Sequence, residues 1–212
     1  MYVQYGCGWT APETWTNFDA SLTLRWERIP LIGKLYTKNP QRFPPNVLYG
    51  NIVKGLPITE RSCSGVYASH VLEHLALNEF HRALDNTYKI LQDGGIFRLV
   101  VPDLECAARR YLNKLESGDA SASSSFLEET SLGKKELRHD LTGLLYGWLQ
   151  TSMHLWMWDE VSLAGALQEH RFTGIRRCAF GDCCDPMFAA VEDPGRFERA
   201  VAMEARKPAS LN

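Results

Sequence analysis

Histidine and acidic side chains cluster after a short apolar run in the middle of the chain, where they could transfer protons. His70 and His74 are four residues apart, so on a helix they would share one face, and Glu73 lies between them. An imidazole directly after a buried strand suits an acid/base group or a substrate contact, and His70 is the main candidate for either role. For Glu73 and His74 the favoured alternative is a hydrogen-bond network within a helical turn.

The same spacing of histidines also occurs in metal sites, but the motif here is incomplete. In the zinc protease motif HExxH the glutamate directly follows the first histidine, whereas Glu73 directly precedes His74. The six cysteines include no CxxC, and Cys183-Cys184 has no second pair at ligand spacing. The sequence therefore predicts no metal site, and it predicts reduced thiols, as in a cytoplasmic protein.

Further polar and aromatic residues are candidates for contact with a substrate. Asp103 follows the apolar run 96–101 and could be a second base, although a cap for the next helix is the favoured role. His154 and Trp156 lie in an aromatic segment that could line an acceptor pocket, because aromatic walls suit flat or sugar-like molecules. The alternative places these residues in the core, and we expect one of Trp156 and Trp158 to be core and the other to face the pocket.

Glycines and an acid near the start of the chain are arranged as at a nucleotide-binding edge. Gly6 and Gly8 follow a strand-like run, and Gly-x-Gly at a strand end lets the backbone turn sharply and approach a ligand. Asp19 ends a second such run, where Rossmann-like folds place a carboxylate that accepts hydrogen bonds from ribose hydroxyls. A plain turn for the glycines and a helix cap for Asp19 are the alternatives.

The elements that must hold these groups are alternating strands and helices. A strand-like run at 66–68, a helical pattern at 71–91 ended by Gly94-Gly95, and a strand-like run at 96–101 form a βαβ crossover. Such a unit requires a parallel sheet with helices on its faces. The other predicted elements are strands at 2–5, 15–19, 47–49, 175–180 and 200–205, helices at 22–35, 104–115, 137–153 and 160–170, and loops at 36–45 and 117–125.

Two segments carry a resemblance to a known enzyme family: ASHVLEHL at residues 68–75 and LQDGGIFRLVVPDLE at residues 91–105. They resemble the middle of the class I S-adenosylmethionine-dependent methyltransferases, which commonly have an LEHL segment after the fourth strand and a Gly-Gly turn before the fifth. The likeness extends to YGCGW at 5–9 and to MEARKP at 203–208.

The resemblance implies an α/β fold, a Rossmann-like three-layer sandwich with a mostly parallel sheet of seven strands, or six, whose last strand is antiparallel. It implies a helical insertion after the fifth strand. We therefore expect one methyltransferase-like domain over residues 1–212, with an insertion or lid at about 104–153.

The family's cofactor is S-adenosyl-L-methionine, and the resemblance implies methyl transfer to a small molecule through a hydroxyl, sugar or similar acceptor. Since the sulfonium is a good leaving group, such an enzyme has chiefly to align nucleophile, methyl carbon and sulfur. Asn51 stands where the family has a residue near the adenine, and Ile52 would pack on the base. The predicted cofactor-binding residues are Tyr5, Gly6, Cys7, Gly8, Asp19, Asn51, Ile52, Ser69 and His70; the predicted catalytic residues are His70 and Asp103; and the predicted substrate-binding residues are His74, His154 and Trp156.

The sequence departs from the family pattern around the glycines. Gln4-Tyr5 precedes them where an acid is common, and no third glycine follows. Eleven positions separate Gly8 from Asp19, too few for a full crossover helix. A catalytically lapsed Rossmann-like scaffold is therefore a second hypothesis. A nucleotide-dependent oxidoreductase is a third, disfavoured because GxGxxG is missing.

Bulk composition limits the expected partners. Net charge is −2 and no long basic run occurs, so we expect a small-molecule substrate and no nucleic acid. No apolar stretch approaches the ~20 residues that cross a bilayer, and no signal peptide is visible, so we expect no membrane association and a cytoplasmic location. The helical insertion could also pair two subunits in a homodimer.

Overall fold

One seven-stranded sheet organises the computed structural model, which describes residues 1–30, 41–133 and 153–209. The strand order is β3-β2-β1-β4-β5-β7-β6; β1 to β5 are mutually parallel, and β7 is antiparallel to both β5 and β6. The strands are β1 Tyr2–Tyr5, β2 Thr16–Asp19, β3 Val47–Tyr49, β4 Cys63–Ser69, β5 Leu91–Pro102, β6 Thr173–Arg177 and β7 Ala200–Arg206. The predicted Rossmann-like sheet, with an antiparallel last strand, is confirmed.

Helices cover both faces of this sheet. Those of the described residues are α1 Leu22–Glu27, α2 Leu77–Ile90, α3 Leu104–Glu116, α4 Ala122–Glu129, α5 Glu160–Glu169 and α6 Pro194–Phe197, with 3₁₀ turns at Ile52–Lys54, Leu72–His74 and Pro186–Ala190. None of these helices is long and apolar enough to span a bilayer.

Two predicted helices have different boundaries in the structure, and a third lies almost wholly outside the described residues. The helix predicted at 71–91 begins at Leu77, because His70 has φ 53° and Leu75 and Ala76 are extended, so residues 72–74 form only a 3₁₀ turn. The helix predicted at 22–35 ends at Glu27, and residues 31–40, which include part of the predicted loop 36–45, lie outside the described residues. The helix predicted at 137–153 lies outside them as well, except for its last residue.

The segment 117–125, predicted as a loop, is partly helical. α4 begins at Ala122 and packs on α3, with the rings of Tyr111 and Phe126 5.6 Å apart. An ion pair of 2.8 Å between Arg110 and Glu129 joins the same two helices. Packing on α3 outweighs the weak helix propensity of the serines in this segment.

The larger core lies between the sheet and the α2 and α5 helices. Phe97 packs there against Phe172, and Trp158, 4% exposed, stacks on Phe80 with ring centroids 4.1 Å apart. Trp158 is therefore the core tryptophan of the predicted pair. A bridge between Trp158 and Asp103 places the segment before α5 beside the carboxyl end of β5.

A second, smaller core on the opposite face contains a buried arginine. Arg98 is 1% exposed beneath the ring of Phe188, and its guanidinium donates to Glu192 at 2.8 Å and to Glu204 at 2.6 Å. It also donates to Asp182 at 3.0 Å. The sequence offers no sign of this network, because its acids come from β7 and from the chain between β6 and β7.

Candidate functional site

The carboxyl ends of the parallel strands bring most predicted site residues to one edge of the sheet. Because β1 to β5 are parallel, the residues that follow them share that edge. Strand order reverses between β1 and β4, and open α/β sheets bind ligands at such a switch point. In strand order from β3 to β5, the edge carries Asn51, Asp19, Gly6 to Gly8, Ser69 with His70, and Asp103.

Asp19 stabilises the glycine turn, which is formed by residues 6–8. Its Oδ2 accepts from the backbone N–H of Gly8 at 3.1 Å, and its Oδ1 accepts from the N–H of Ser21 at 2.8 Å. The cap of α1 is Ser21, whose hydroxyl accepts from Leu24 N–H. Asp19 is 8% exposed, and each of its oxygens has capacity for a second hydrogen bond. The carboxylate can therefore hold the turn and still accept from a ligand hydroxyl.

The glycine turn itself packs on the turn that follows β4. Gly6 has φ 67°, and a Cβ there would lie 2.0 Å from Val71 Cγ2. Gly8 has φ 54°, and a Cβ there would meet nothing within 4 Å, so the backbone at Gly8 is open to a ligand. The segment between β1 and β2 contains no helix, as the short spacing from Gly8 to Asp19 predicts.

The side chains of Tyr5 and Cys7 point into the protein. The hydroxyl of Tyr5 lies 3.2 Å from that of Thr87 in the core, and burial raises its pKa. Cys7 packs with Leu24, and burial raises the pKa of its thiol to about 12. A ligand at this edge would meet these two residues through their backbone.

Asn51 and Ile52 form the turn after β3. The Asn51 side chain accepts from Val53 N–H at 2.9 Å and so caps the 3₁₀ turn. Ile52 is buried, and its carbonyl accepts from Asn86 at 2.8 Å. Asn51 thus caps a turn at the edge where the resemblance places the adenine.

His70 occupies a left-handed backbone position immediately after β4. Its Nε2 lies 2.9 Å from the carbonyl of Arg196, and its Nδ1 lies 3.4 Å from Glu73 Oε1. Burial alone would lower the pKa of His70, but the nearby Glu73 carboxylate and the contact with the Arg196 carbonyl raise it overall. The adjacent Ser69 hydroxyl is buried without a hydrogen-bond partner in the described part of the chain.

His70, Asp103 and His154 line one cleft of about 370 Å³. Asp103 Oδ1 caps α3 through the N–H groups of Glu105 and Cys106, at 2.9 and 3.2 Å, and its Oδ2 lies 3.4 Å from Arg177. The favoured interpretation of Asp103 as a cap therefore matches its observed contacts.

His74, His154 and Trp156 lie where the segment before α5 meets the turn after β4. Leu155 and Trp156 both donate their N–H to the Glu73 carbonyl, at 2.7 and 3.2 Å. The rings of His74 and His154 are 5.1 Å apart. Burial lowers the pKa of His154. Trp156 is 42% exposed, in contrast to Trp158.

Sequence reasoning missed the role of Arg196. It lies in α6, its carbonyl contacts His70, and its guanidinium donates to the Ser69 carbonyl at 3.3 Å. Glu198 and Arg199, which follow, line the cleft. No local pattern marks Arg196, because 127 positions separate it from Ser69.

Comparison with known proteins relates this architecture to methyltransferases. Residues 28–99, about a third of the chain, match the family described as methyltransferase domain. No curated protein matches the sequence.

Several solved structures share the fold. A SAM-dependent methyltransferase from Methanosarcina mazei is 16% identical with a TM-score of 0.51, over 99% of this chain and 92% of that one. A SAM-dependent methyltransferase from Thermotoga maritima, described as a possible histamine N-methyltransferase, is 15% identical with a TM-score of 0.50, over 97% and 81%. The CMeT domain of the citrinin polyketide synthase is 12% identical with a TM-score of 0.50, over 99% and 46%. At these identities the likeness establishes the fold.

Proposed function

We propose that the chain is a class I S-adenosylmethionine-dependent methyltransferase that methylates a small molecule by in-line displacement. The match of residues 28–99 to the methyltransferase domain family and the shared fold support this proposal. The observation that carries the proposal is the sheet edge itself, where Asp19, the glycine turn and the cleft around His70 are adjacent at the switch point. S-adenosyl-L-methionine supplies the methyl group in this class.

The residues at this edge fit the cofactor. Asp19 has spare acceptor capacity for ribose hydroxyls, and the open backbone at Gly8 suits the methionine end. The buried Ser69 hydroxyl lacks a partner in the described chain and could donate to the same ligand. Asn51 and Ile52 stand at the adenine end of this row. We assign these residues to cofactor binding, with Tyr5, Gly6 and Cys7 contributing backbone.

The acceptor belongs in the cleft beyond His70. A cleft of about 370 Å³ suits a small molecule, and its polar wall suits a hydroxyl acceptor. We assign His70 to the acceptor group, as hydrogen-bond partner or proton acceptor, and His74, His154 and Trp156 to the surrounding wall. Asp103 contributes less directly, because its carboxylate already caps α3 and faces Arg177.

The proposal also covers the protein's location, domain organisation and partners. All six cysteines are free, which supports a reducing, cytoplasmic location. We also propose that residues 1–212 form a single domain with an insertion at about 104–153. From the sequence we also propose that the partners are a small-molecule substrate and a second copy of the chain. We expect no nucleic-acid partner.

Calorimetric titration with S-adenosylhomocysteine tests the cofactor site. We expect micromolar binding that weakens about 10- to 100-fold in Asp19→Asn, because hydrogen bonds to a charged group contribute about 1.5–3 kcal/mol. Asp185→Asn is the matched control: this carboxylate also caps a turn, by accepting from Met187 N–H, but it contacts Tyr2 at the opposite end of β1. We expect Asp185→Asn to bind like the wild type.

Three results would contradict the proposal or its assignment of Asp19. Lack of binding at millimolar S-adenosylhomocysteine would favour the lapsed scaffold. Tight binding of NADH instead would favour the oxidoreductase. Equal weakening in Asp19→Asn and Asp185→Asn would overturn the assignment of Asp19.

A further inference from the structure

The turn after β4 and the segment before α5 bring three side chains of metal-ligand type together. The carboxylate of Glu73 and ring nitrogens of His74 and His154 lie within 4.8 Å of one another. We propose that these three residues bind a divalent transition-metal ion such as Zn²⁺. The sequence predicted no such site, because the spacing of His70 and His74 does not match a zinc motif and His154 is distant in sequence.

The carboxylate of Glu73 is the central observation. Glu73 is 1% exposed, and neither of its oxygens has a hydrogen-bond partner in the described residues. Its nearest polar neighbours are His70 Nδ1 at 3.4 Å and His74 Nε2 at 3.8 Å. Burial of an ionised carboxylate without compensation costs several kcal/mol, so this site calls for a positive charge.

The second ligand, His74, is oriented for metal binding. Its Nδ1 lies 2.9 Å from the carbonyl of Met153, a group that only accepts, so Nδ1 carries the hydrogen. In the neutral ring the lone pair is then on Nε2, which faces Glu73. A histidine that ligates a metal usually donates its other N–H to a carbonyl in this way.

The third ligand, His154, presents the other ring nitrogen, Nδ1. Its ring makes a hydrogen bond with the backbone of Thr130, while its Nδ1 is buried without a partner in the described chain. The backbone bonds from Leu155 and Trp156 to the Glu73 carbonyl hold this histidine beside the turn. Two imidazole lone pairs and one carboxylate therefore converge on one small volume.

Two histidines and one glutamate form a known ligand set for Zn²⁺ that keeps a coordination position open. Ligand atoms around Zn²⁺ are about 3.4 Å apart at usual bond lengths, so modest side-chain rotations would close the present spacing. His70, 3.4 Å from Glu73, would support the carboxylate from outside the ligand set. Nitrogen ligands favour a transition metal over Mg²⁺ or Ca²⁺.

Metal titration of chelator-treated protein tests the site. We expect one equivalent of Zn²⁺ to bind at micromolar concentration or tighter, and Co²⁺ to give visible absorption bands on binding. Glu73→Gln and His154→Gln each remove a ligand and should weaken Zn²⁺ binding by more than the ~10- to 100-fold that loss of an outer-shell partner typically costs. Zn²⁺ should also raise the melting temperature of the wild type but not that of Glu73→Gln.

His81→Gln is the matched control for adventitious binding to histidine. His81, on α2, lies outside this cluster. Its Nδ1 is 2.9 Å from Nε2 of His170, the residue after α5. We expect His81→Gln to bind Zn²⁺ like the wild type. Lack of stoichiometric Zn²⁺ binding by the wild type, or binding that survives Glu73→Gln and is lost in His81→Gln, would overturn the proposal.

The proposed metal site does not depend on the proposed methyl transfer. Titration of the same samples with S-adenosylhomocysteine separates the two: Zn²⁺ binding without S-adenosylhomocysteine binding would overturn the function and support the metal site. S-adenosylhomocysteine binding without Zn²⁺ binding would do the reverse.

Discussion

Arg98→Met is expected to lower the free energy of unfolding by about 3–5 kcal/mol, the usual cost of removing one partner of a buried ion pair. Arg98 is 1% exposed, and methionine would leave the carboxylates of Glu192 and Glu204 buried without their main donor. Urea denaturation at neutral pH measures the loss.

Arg176→Met is the control for this prediction. Arg176 donates to Glu204 at 2.9 Å and to Asp182 at 2.8 Å, but its side chain is 40% exposed. We expect its replacement to cost only about 1 kcal/mol, because exposed ion pairs contribute little. Equal losses in the two variants would show that burial of Arg98 does not determine its contribution.

Gly6→Ala is expected to destabilise the fold by about 3 kcal/mol or more and to weaken S-adenosylhomocysteine binding. The new Cβ would lie 2.0 Å from Val71 Cγ2, and the left-handed φ of 67° adds strain. Overpacking costs about 1–3 kcal/mol and a left-handed alanine about 1–2 kcal/mol. Urea denaturation and calorimetry measure the two effects.

Gly8→Ala separates backbone strain from the clash. Gly8 has a similar φ of 54°, but its Cβ would meet no atom within 4 Å. We therefore expect Gly8→Ala to cost only about 1–2 kcal/mol. The double variant Gly6→Ala/Val71→Ala should recover part of the loss in Gly6→Ala. Equal destabilisation by the two single variants would contradict the proposed contact.

Much of the fold could be predicted from local patterns. The apolar run before Pro102 marked the buried part of β5, because a strand buried on both faces is continuously apolar. The run at 47–49, ended by Gly50, marked β3, although Leu48 and Tyr49 are exposed there. The eleven positions from Gly8 to Asp19 correctly excluded a helix between β1 and β2. These features depend on residues close in sequence.

Features that depend on distant residues were missed. The serines near Ser125 suggested a loop, but contacts with α3 make α4 helical; one is the bond of 2.8 Å from Lys114 to Ser125. The approach of His154 to Glu73 joins residues about eighty positions apart and has no local signal. The helix expected from residue 71 is interrupted at Leu75, which is extended. Tertiary contacts decide the first two of these features.

The position of β7 has a consequence for synthesis of the protein. β7 is formed by residues 200–206, yet it lies between β5 and β6 and supplies Glu204 to Arg98. While a ribosome is still translating residues before 200, the nascent chain has an unpaired β5 edge and an arginine lacking one of its carboxylate partners. Closure of the sheet must therefore follow translation of nearly all the described chain, and the unfinished edge is a natural target for a holding chaperone.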